Sequence, residues 1–99
     1  MILEKHVKQS AEAKDYDINY IDWLTPIQDT VNTAVATIDC LTAPVDATLV
    51  CDSIDVEPTY VKFWVSGGTP GKKYKLTSLV TTVGGRTDES ELIFTIKEF

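Results

Sequence analysis

Histidine, arginine and cysteine are scarce in this chain of 99 residues. It has one histidine, His6, one arginine, Arg86, and two cysteines, Cys40 and Cys51. A structural zinc site takes four Cys or His ligands, and a Ser–His–Asp triad needs a histidine held in a rigid site, whereas His6 lies near the start of the chain. The sequence therefore predicts no catalytic residues, no metal and no cofactor.

The two cysteines leave one alternative open. Cys40 and Cys51 are eleven positions apart, so they could bridge neighbouring strands. Free thiols are favoured, because a reducing cytoplasm keeps cysteines reduced.

Long apolar runs are also missing. No window approaches the roughly 18 apolar residues of a membrane-spanning helix, and the segment Met1–His6 lacks the basic region and apolar run of a signal peptide. We therefore expect no membrane partner and synthesis in the cytoplasm.

One sign of charge is absent from each of two long segments. Residues 15–61 hold nine acids and no Lys, Arg or His, whereas residues 62–87 hold five bases and no acid. The net charge of −6 argues against a nucleic-acid partner, because phosphate binding needs clustered Lys and Arg. If the two segments form separate patches, opposite patches on neighbouring copies can dock head to tail.

The remaining composition favours β structure. Val, Ile and Thr supply 31 residues, against 13 for the helix formers Ala and Leu. Six or seven short strands, about ten residues apart and separated by Gly, Pro and Asp turns, predict an all-β, immunoglobulin-like antiparallel β-sandwich. The predicted strands are 15–20, 31–38, 48–56, 60–65, 73–83 and one marked by Leu92, Phe94 and Ile96.

Four segments depart from the simple alternation of a half-buried strand. Residues 1–13 show a weakly helical or irregular pattern and are predicted to form an N-terminal arm, with the sandwich domain spanning 14–99. The segment Val31–Ile38 has apolar residues on both faces, as a β-bulge would allow. In the segment 48–56, either Leu49 and Cys51 or Ile54 and Val56 face inward. The segment Ile21–Pro26 ends the strand region, because Pro26 cannot donate to a sheet ladder.

The segment 60–65 places a tryptophan on the outside. Val61, Phe63 and Val65 are predicted to face the core, whereas Tyr60, Lys62 and Trp64 face away. Trp and Tyr are enriched at the energetic centres of protein interfaces, so an exposed Trp64 indicates a partner. The alternative is that a second sheet or the N-terminal arm covers it.

Paired carboxylates have a structural explanation. The pairs are Asp15 with Asp17 and Asp52 with Asp55. Acids on outward faces of edge strands commonly prevent unwanted strand pairing, and a glycosidase would need two of them facing each other across a cleft. We therefore interpret them as surface charges.

Two blocks of sequence carry a resemblance to a known family. Residues 64–69 read Trp-Val-Ser-Gly-Gly-Thr, and residues 81–88 read Thr-Thr-Val-Gly-Gly-Arg-Thr-Asp. Together with Asp22-Trp23-Leu24, they resemble the small tailed-phage proteins known as phage fiber-tail adaptor proteins, over about residues 8–99.

The resemblance implies a non-enzymatic structural protein of a bacteriophage virion, located at the tail or neck and made in the host cytoplasm. Expected partners are phage tail, portal or neck, and fiber proteins, together with neighbouring copies of the chain. The candidate partner interface comprises Tyr60, Lys62, Trp64, Lys72, Lys73, Arg86 and Asp88. Arg86 has two predicted roles, a local pair with Asp88 or a subunit contact. The alternative function is a carbohydrate- or ligand-binding β-sandwich module, with Trp64 and Tyr60 as a stacking platform.

Overall fold

Seven strands and one short helix are formed by residues 2–99, which the computed structural model describes. They are β1 (Leu3–Lys8), β2 (Lys14–Asn19), α1 (Ile21–Ile27), β3 (Val31–Cys40), β4 (Val50–Val56), β5 (Tyr60–Ser66), β6 (Lys73–Thr82) and β7 (Thr87–Ile96). Sheet A has four strands in the order β1-β7-β6-β3, and sheet B has three in the order β2-β5-β4. The predicted all-β class is confirmed.

One apolar core lies between the two sheets. On β5, the residues Val61, Phe63 and Val65 are fully buried, as predicted. The partners across the core are Tyr74, Leu76 and Val80 of β6 and Leu92, Phe94 and Ile96 of β7. Because successive side chains of a strand point to opposite faces, the clean alternation of these strands was enough to identify the buried side.

Two β-bulges explain the segments with ambiguous faces. The register of β3 shifts between Val31 and Thr33, which confirms the predicted bulge. The register of β4 shifts between Cys51 and Ser53. Because this shift lies between the two candidate pairs, Cys51 and Ile54 both pack against the core, while Val56 is exposed.

The N-terminal segment is a strand, so the prediction of a weakly helical or irregular segment was wrong. Residues 3–8 form β1, which pairs in parallel with β7, so sheet A is mixed and not wholly antiparallel. Backbone hydrogen bonds to β7 hold this strand, and its side chains give no apolar-inside signal. Lys8 is fully buried, whereas Leu3 and Val7 are 55% and 57% exposed.

Helix α1 was not predicted. Proline cannot donate to a sheet ladder, and Pro26 lies inside this helix, next to its last residue Ile27. The Ile21 N–H donates to Asn19 Oδ1 at 3.0 Å, Leu24 is buried in the core, and Gln28 ends the helix with a φ of 52°. Among residues 2–99, no helix is long and apolar enough to cross a membrane.

Gly67 fixes the loop after β5. Its φ is +83°, and a Cβ atom at this position would lie 2.1 Å from the Thr48 carbonyl oxygen. Only glycine combines this conformation with such a close approach. The fully buried Lys8 donates from Nζ to the Gly67 carbonyl at 2.6 Å, so the same loop also anchors the end of β1.

Candidate protein-docking face

The outer side of sheet B gathers aromatic and charged side chains. In the strand register, Trp64 lies between Asp15 of β2 and Ser53 of β4, and Lys62 lies between Asp17 and Asp55. We define the acidic face as Asp15, Asp17, Asp52, Asp55, Tyr60, Lys62 and Trp64. Its position follows from β5 being the central strand of sheet B.

Trp64 is exposed in the middle of this face. Its side chain points away from the core, and the residue is 39% exposed. The indole Nε1–H donates to Asp55 Oδ2 at 3.1 Å. Because the core lies between the two sheets and Trp64 is on the opposite side of sheet B, sheet A, which includes β1, does not cover it.

The charges around Trp64 are mostly negative. Lys62 Nζ lies 3.4 Å from Asp15 Oδ2. This hydrogen bond, reinforced by the charge of Asp17, raises the pKa of Lys62. Asp52 accepts a hydrogen bond from Ser66 Oγ at 2.6 Å. The face thus carries four carboxylates and one ammonium group, and it is net negative.

The other predicted interface residues lie elsewhere. Lys73 begins β6 and Lys72 precedes it, whereas Arg86 follows the far end of the same strand. Asp88, near the start of β7, accepts a hydrogen bond from Ser90 Oγ at 2.8 Å. The structure therefore brings Tyr60, Lys62 and Trp64 together on one face. Lys72, Lys73, Arg86 and Asp88 lie outside that face, at the two ends of β6.

The segregation of charge along the sequence does not become two patches. Four of the five bases in residues 62–87 lie beside an acid of the same chain: Lys62 beside Asp15, Lys72 beside Asp46, Lys75 beside Glu91, and Arg86 beside Asp29. Three of these acids belong to residues 15–61, because strands and loops from the two segments are neighbours in the sandwich, and Glu91 lies on the adjacent strand β7. Among residues 2–99, the bases of this segment therefore do not gather into the basic patch that the predicted head-to-tail docking requires.

Two half-buried carboxylates, Asp46 and Asp29, connect loops through hydrogen bonds. Asp46 accepts hydrogen bonds from Tyr74 Oη at 2.6 Å and Thr69 Oγ1 at 2.7 Å, and these bonds hold the pKa of Asp46 well below its usual range. Asp29 accepts from Arg86 Nη1 at 2.9 Å. Hydrogen bonds from the Thr82 side chain and from the Thr30, Gly84 and Arg86 N–H groups lower the pKa of Asp29 to about 2.

The histidine and the two cysteines lie in packing or surface positions of the sandwich. His6 packs against Tyr16 and Phe94, with ring centroids 4.8 and 5.7 Å away. Cys40 and Cys51 are free thiols. In the part of the chain that the structure describes, no three His, Cys, Asp or Glu side chains form a metal-binding group.

Sequence analysis assigned Tyr60, Lys62 and Trp64 to an interface and interpreted the four acids of the face only as surface charges. Asp15, Asp17 and Asp55 alternate with inward residues on their strands, which shows that they face outward. The register that places Asp17 and Asp55 on either side of Lys62 joins residues far apart in the chain. Only the order of the strands in sheet B brings them together.

The fold is a two-sheet β-sandwich whose outer face on sheet B carries an exposed tryptophan among carboxylates. The family described as podophage GP4 fiber-tail adaptor protein gp77 matches residues 8–95, and the chain belongs to this family. This match confirms the resemblance found from the sequence. No curated protein matches the chain.

Proposed function

We propose that this chain is a non-enzymatic structural protein of the phage virion that joins tail fibers to the tail or neck, and that it uses the acidic face as a contact surface. The family match supports the adaptor role. The proposed contact rests on one observation: Trp64 is exposed on the central strand of sheet B, with Asp15 and Asp55 beside it.

The physical argument concerns what each group contributes. A tryptophan at the centre of an interface buries a large area at low entropic cost, and its truncation often costs about 2 kcal/mol or more of binding energy. The surrounding carboxylates steer a basic partner and disfavour an acidic one. Tyr60, on the same face, extends the aromatic surface along β5.

The test uses phage particles that carry single substitutions. Trp64→Ala removes the proposed anchor, and Leu79→Ala is the matched control, because Leu79 is 45% exposed on the outer side of sheet A. We expect the chain in purified wild-type virions at the tail, about tenfold less in Trp64→Ala virions, and unchanged amounts in Leu79→Ala virions. Mass spectrometry and particle reconstruction measure the amount and the position.

Two outcomes contradict the proposal. If the chain is missing from purified wild-type virions, the adaptor role is wrong. If the chain is present and both variants incorporate equally, the adaptor role stands and the acidic face is the wrong surface.

A carbohydrate-binding module is the second candidate, because Tyr60 and Trp64 share one exposed face with carboxylates that can accept sugar hydroxyls. A glycan array with the isolated chain separates the two functions. Specific glycan binding that Trp64→Ala abolishes favours this candidate, whereas an array without binding removes it.

A further inference from the structure

The core is left open along one side of the sandwich, between the edges of β3 and β4. The inward residues of β5 and β7 are fully buried, but those facing this side are only half-buried: Ala34, Ala36, Ile38, Cys40, Cys51 and Ile54. A cleft of about 330 Å³ lies here, lined in part by Ala36, Ile38, Leu49 and Cys51. We call this the β3–β4 seam. Small side chains on β3 leave the cleft unfilled.

The backbone of β3 is also unpaired along the seam. The Leu41 N–H donates to the Lys73 carbonyl at 2.8 Å, and hydrogen-bonded pairs alternate along an antiparallel ladder. In the register of β3 with β6, the N–H and C=O groups of Ala34, Ala36 and Ile38 therefore point away from β6. Among residues 2–99, no backbone group bonds to them.

At its other end the seam is closed. The Val31 N–H donates to the Pro58 carbonyl at 2.9 Å, which joins β3 to the turn between β4 and β5. The bulge after Val31 then shifts the register. The unpaired edge of β3 therefore begins after this bulge.

Along residues 33–38, β3 lacks the features that protect the other edge strands. Proteins protect sheet edges with charged side chains, inward-pointing charges or bulges. β1 points His6 and Lys8 inward, β2 carries Asp15 and Asp17, and β4 has a bulge beside Asp52. Residues 33–38 of β3 read Thr-Ala-Val-Ala-Thr-Ile, with no charge and no proline.

We propose that the free edge of β3 binds an extended segment of a partner protein as an added strand of sheet A. Addition of a strand uses main-chain hydrogen bonds for affinity and pockets for alternate side chains for specificity. The segment carries apolar side chains at alternate positions, because these enter the cleft at Ala36 and Ile38. This site lies apart from the acidic face and does not require it.

Charge complementarity identifies the segment further. Asp39 lies on the outward side of β3 and Asp46 lines the cleft, whereas β3 and β4 contain no Lys or Arg. A cationic segment gains from these charges, whereas an anionic one is repelled. A second copy of this chain fits less well, because its own β3 carries Asp39 and has the small side chains of Ala34 and Ala36 at two of the positions that would fill the cleft.

The test uses two synthetic ten-residue peptides, one alternating Val with Lys and the other alternating Val with Glu. Binding is followed by amide hydrogen exchange of the full chain. We expect the Lys peptide to slow exchange at Ala34, Ala36 and Ile38 by about tenfold or more, and the Glu peptide to bind about tenfold more weakly.

Three variants locate the site. Ala36→Pro removes an outward N–H without breaking a bond to β6, and Ala36→Leu fills the cleft while keeping that N–H, so it stays informative if the proline variant does not fold. Both are expected to weaken Lys-peptide binding about tenfold. The control Trp64→Ala alters only the acidic face and is expected to bind the peptide as the wild type does.

Three results overturn the inference. The first is no added protection of these amides in the folded wild-type chain. The second is binding that Trp64→Ala abolishes and Ala36→Leu leaves intact, which assigns the peptide to the acidic face. The third is concentration-dependent dimerisation that protects the same amides without peptide, which makes a second copy the occupant.

Discussion

The outer faces of the two sheets differ although they rest on one core. The face of sheet B carries four carboxylates, one lysine and the exposed Trp64. The face of sheet A is rich in threonine, with Val35 and Leu79 paired across β3 and β6 at 58% and 45% exposure. Its charges balance, because three lysines and three acids lie on this face: Lys5, Lys73, Lys75, Asp39, Glu89 and Glu91.

The difference shows how strand order distributes charge. Sheet B joins the acid-rich β2 and β4 to β5, which begins the base-only segment and brings one lysine. Sheet A mixes strands from the start, the middle and the end of the chain, so both signs occur there. A single-sign field around an aromatic residue suits recognition, whereas a balanced threonine face does not select a partner by charge.

The largest expected effect separates the two sides of β5. Phe63→Ala should lower the free energy of unfolding by about 3–5 kcal/mol, because it leaves a cavity in the core. Trp64→Ala should lower it by about 1 kcal/mol or less, because the ring is exposed. Denaturant unfolding of both variants measures this. Equal losses would mean that Trp64 is a structural residue and that sheet B has no dedicated binding face.

Acid should act on the loops at the end of sheet A. Asp29 has its pKa lowered from 3.8 to about 2, so the charged form is favoured by folding. This stability is fully present above pH 3.8 and is lost as the pH falls through about 2. The expected result is a thermal midpoint that drops over this range, and a smaller drop in Asp29→Asn, which is already less stable at pH 7.

The control for this acid effect is Asp17→Asn on the acidic face. Asp17 is exposed and makes no ion pair within 4 Å in the described chain. Asp17→Asn removes one carboxylate without removing a hydrogen bond to a loop, so it controls for the loss of one negative charge. A pH curve that flattens equally in both variants would show that Asp29 is not the group responsible.

Charge reversal tests whether the two faces recruit partners differently. Asp17→Lys is expected to slow binding to tails that lack this chain by about tenfold at low ionic strength, whereas Glu89→Lys on sheet A should have little effect. The difference should largely vanish at about 1 M salt, where the Debye length is about 3 Å. Surface-based kinetics measure both rates. Similar slowing by both variants would contradict a face-specific contact.

The smallest expected effect concerns the ion pair within the acidic face. Lys62 and Asp15 are both partly exposed, so a double-mutant cycle with Lys62→Met and Asp15→Asn should give a coupling of about 0.2–1 kcal/mol. Thermal or denaturant unfolding of the four proteins measures it. A much larger coupling would mean that the pair holds sheet B together and is not free to rearrange around a partner.

Sequence predicted most of the sandwich, and the misses share a cause. The alternation in β5, β6 and β7 identified the buried face, because a strand that is half-buried leaves a period of two. β1 has no such signal, since its inward positions include His6 and Lys8. Helix α1 is too short for a helical period, and its proline suggested only an interruption.

The candidate site was predicted in the same uneven way. An outward Trp64 followed from alternation within one strand. The carboxylates beside it, and the dispersal of Lys72, Lys73 and Arg86, depend on which strands are neighbours. Such neighbours are joined by contacts between distant parts of the chain, which local pattern does not encode.

By itself, the sequence determined the class of fold, the inward and outward sides of its regular strands, and the family. Local alternation and turn residues carry that information, because they act within a few residues. Only the tertiary structure decided that most bases of the base-only segment lie beside acids, that Trp64 shares one face with four carboxylates, and that the edge of β3 is left open. These features arise from the order of strands in two sheets, where packing of the shared core selects one set of neighbours.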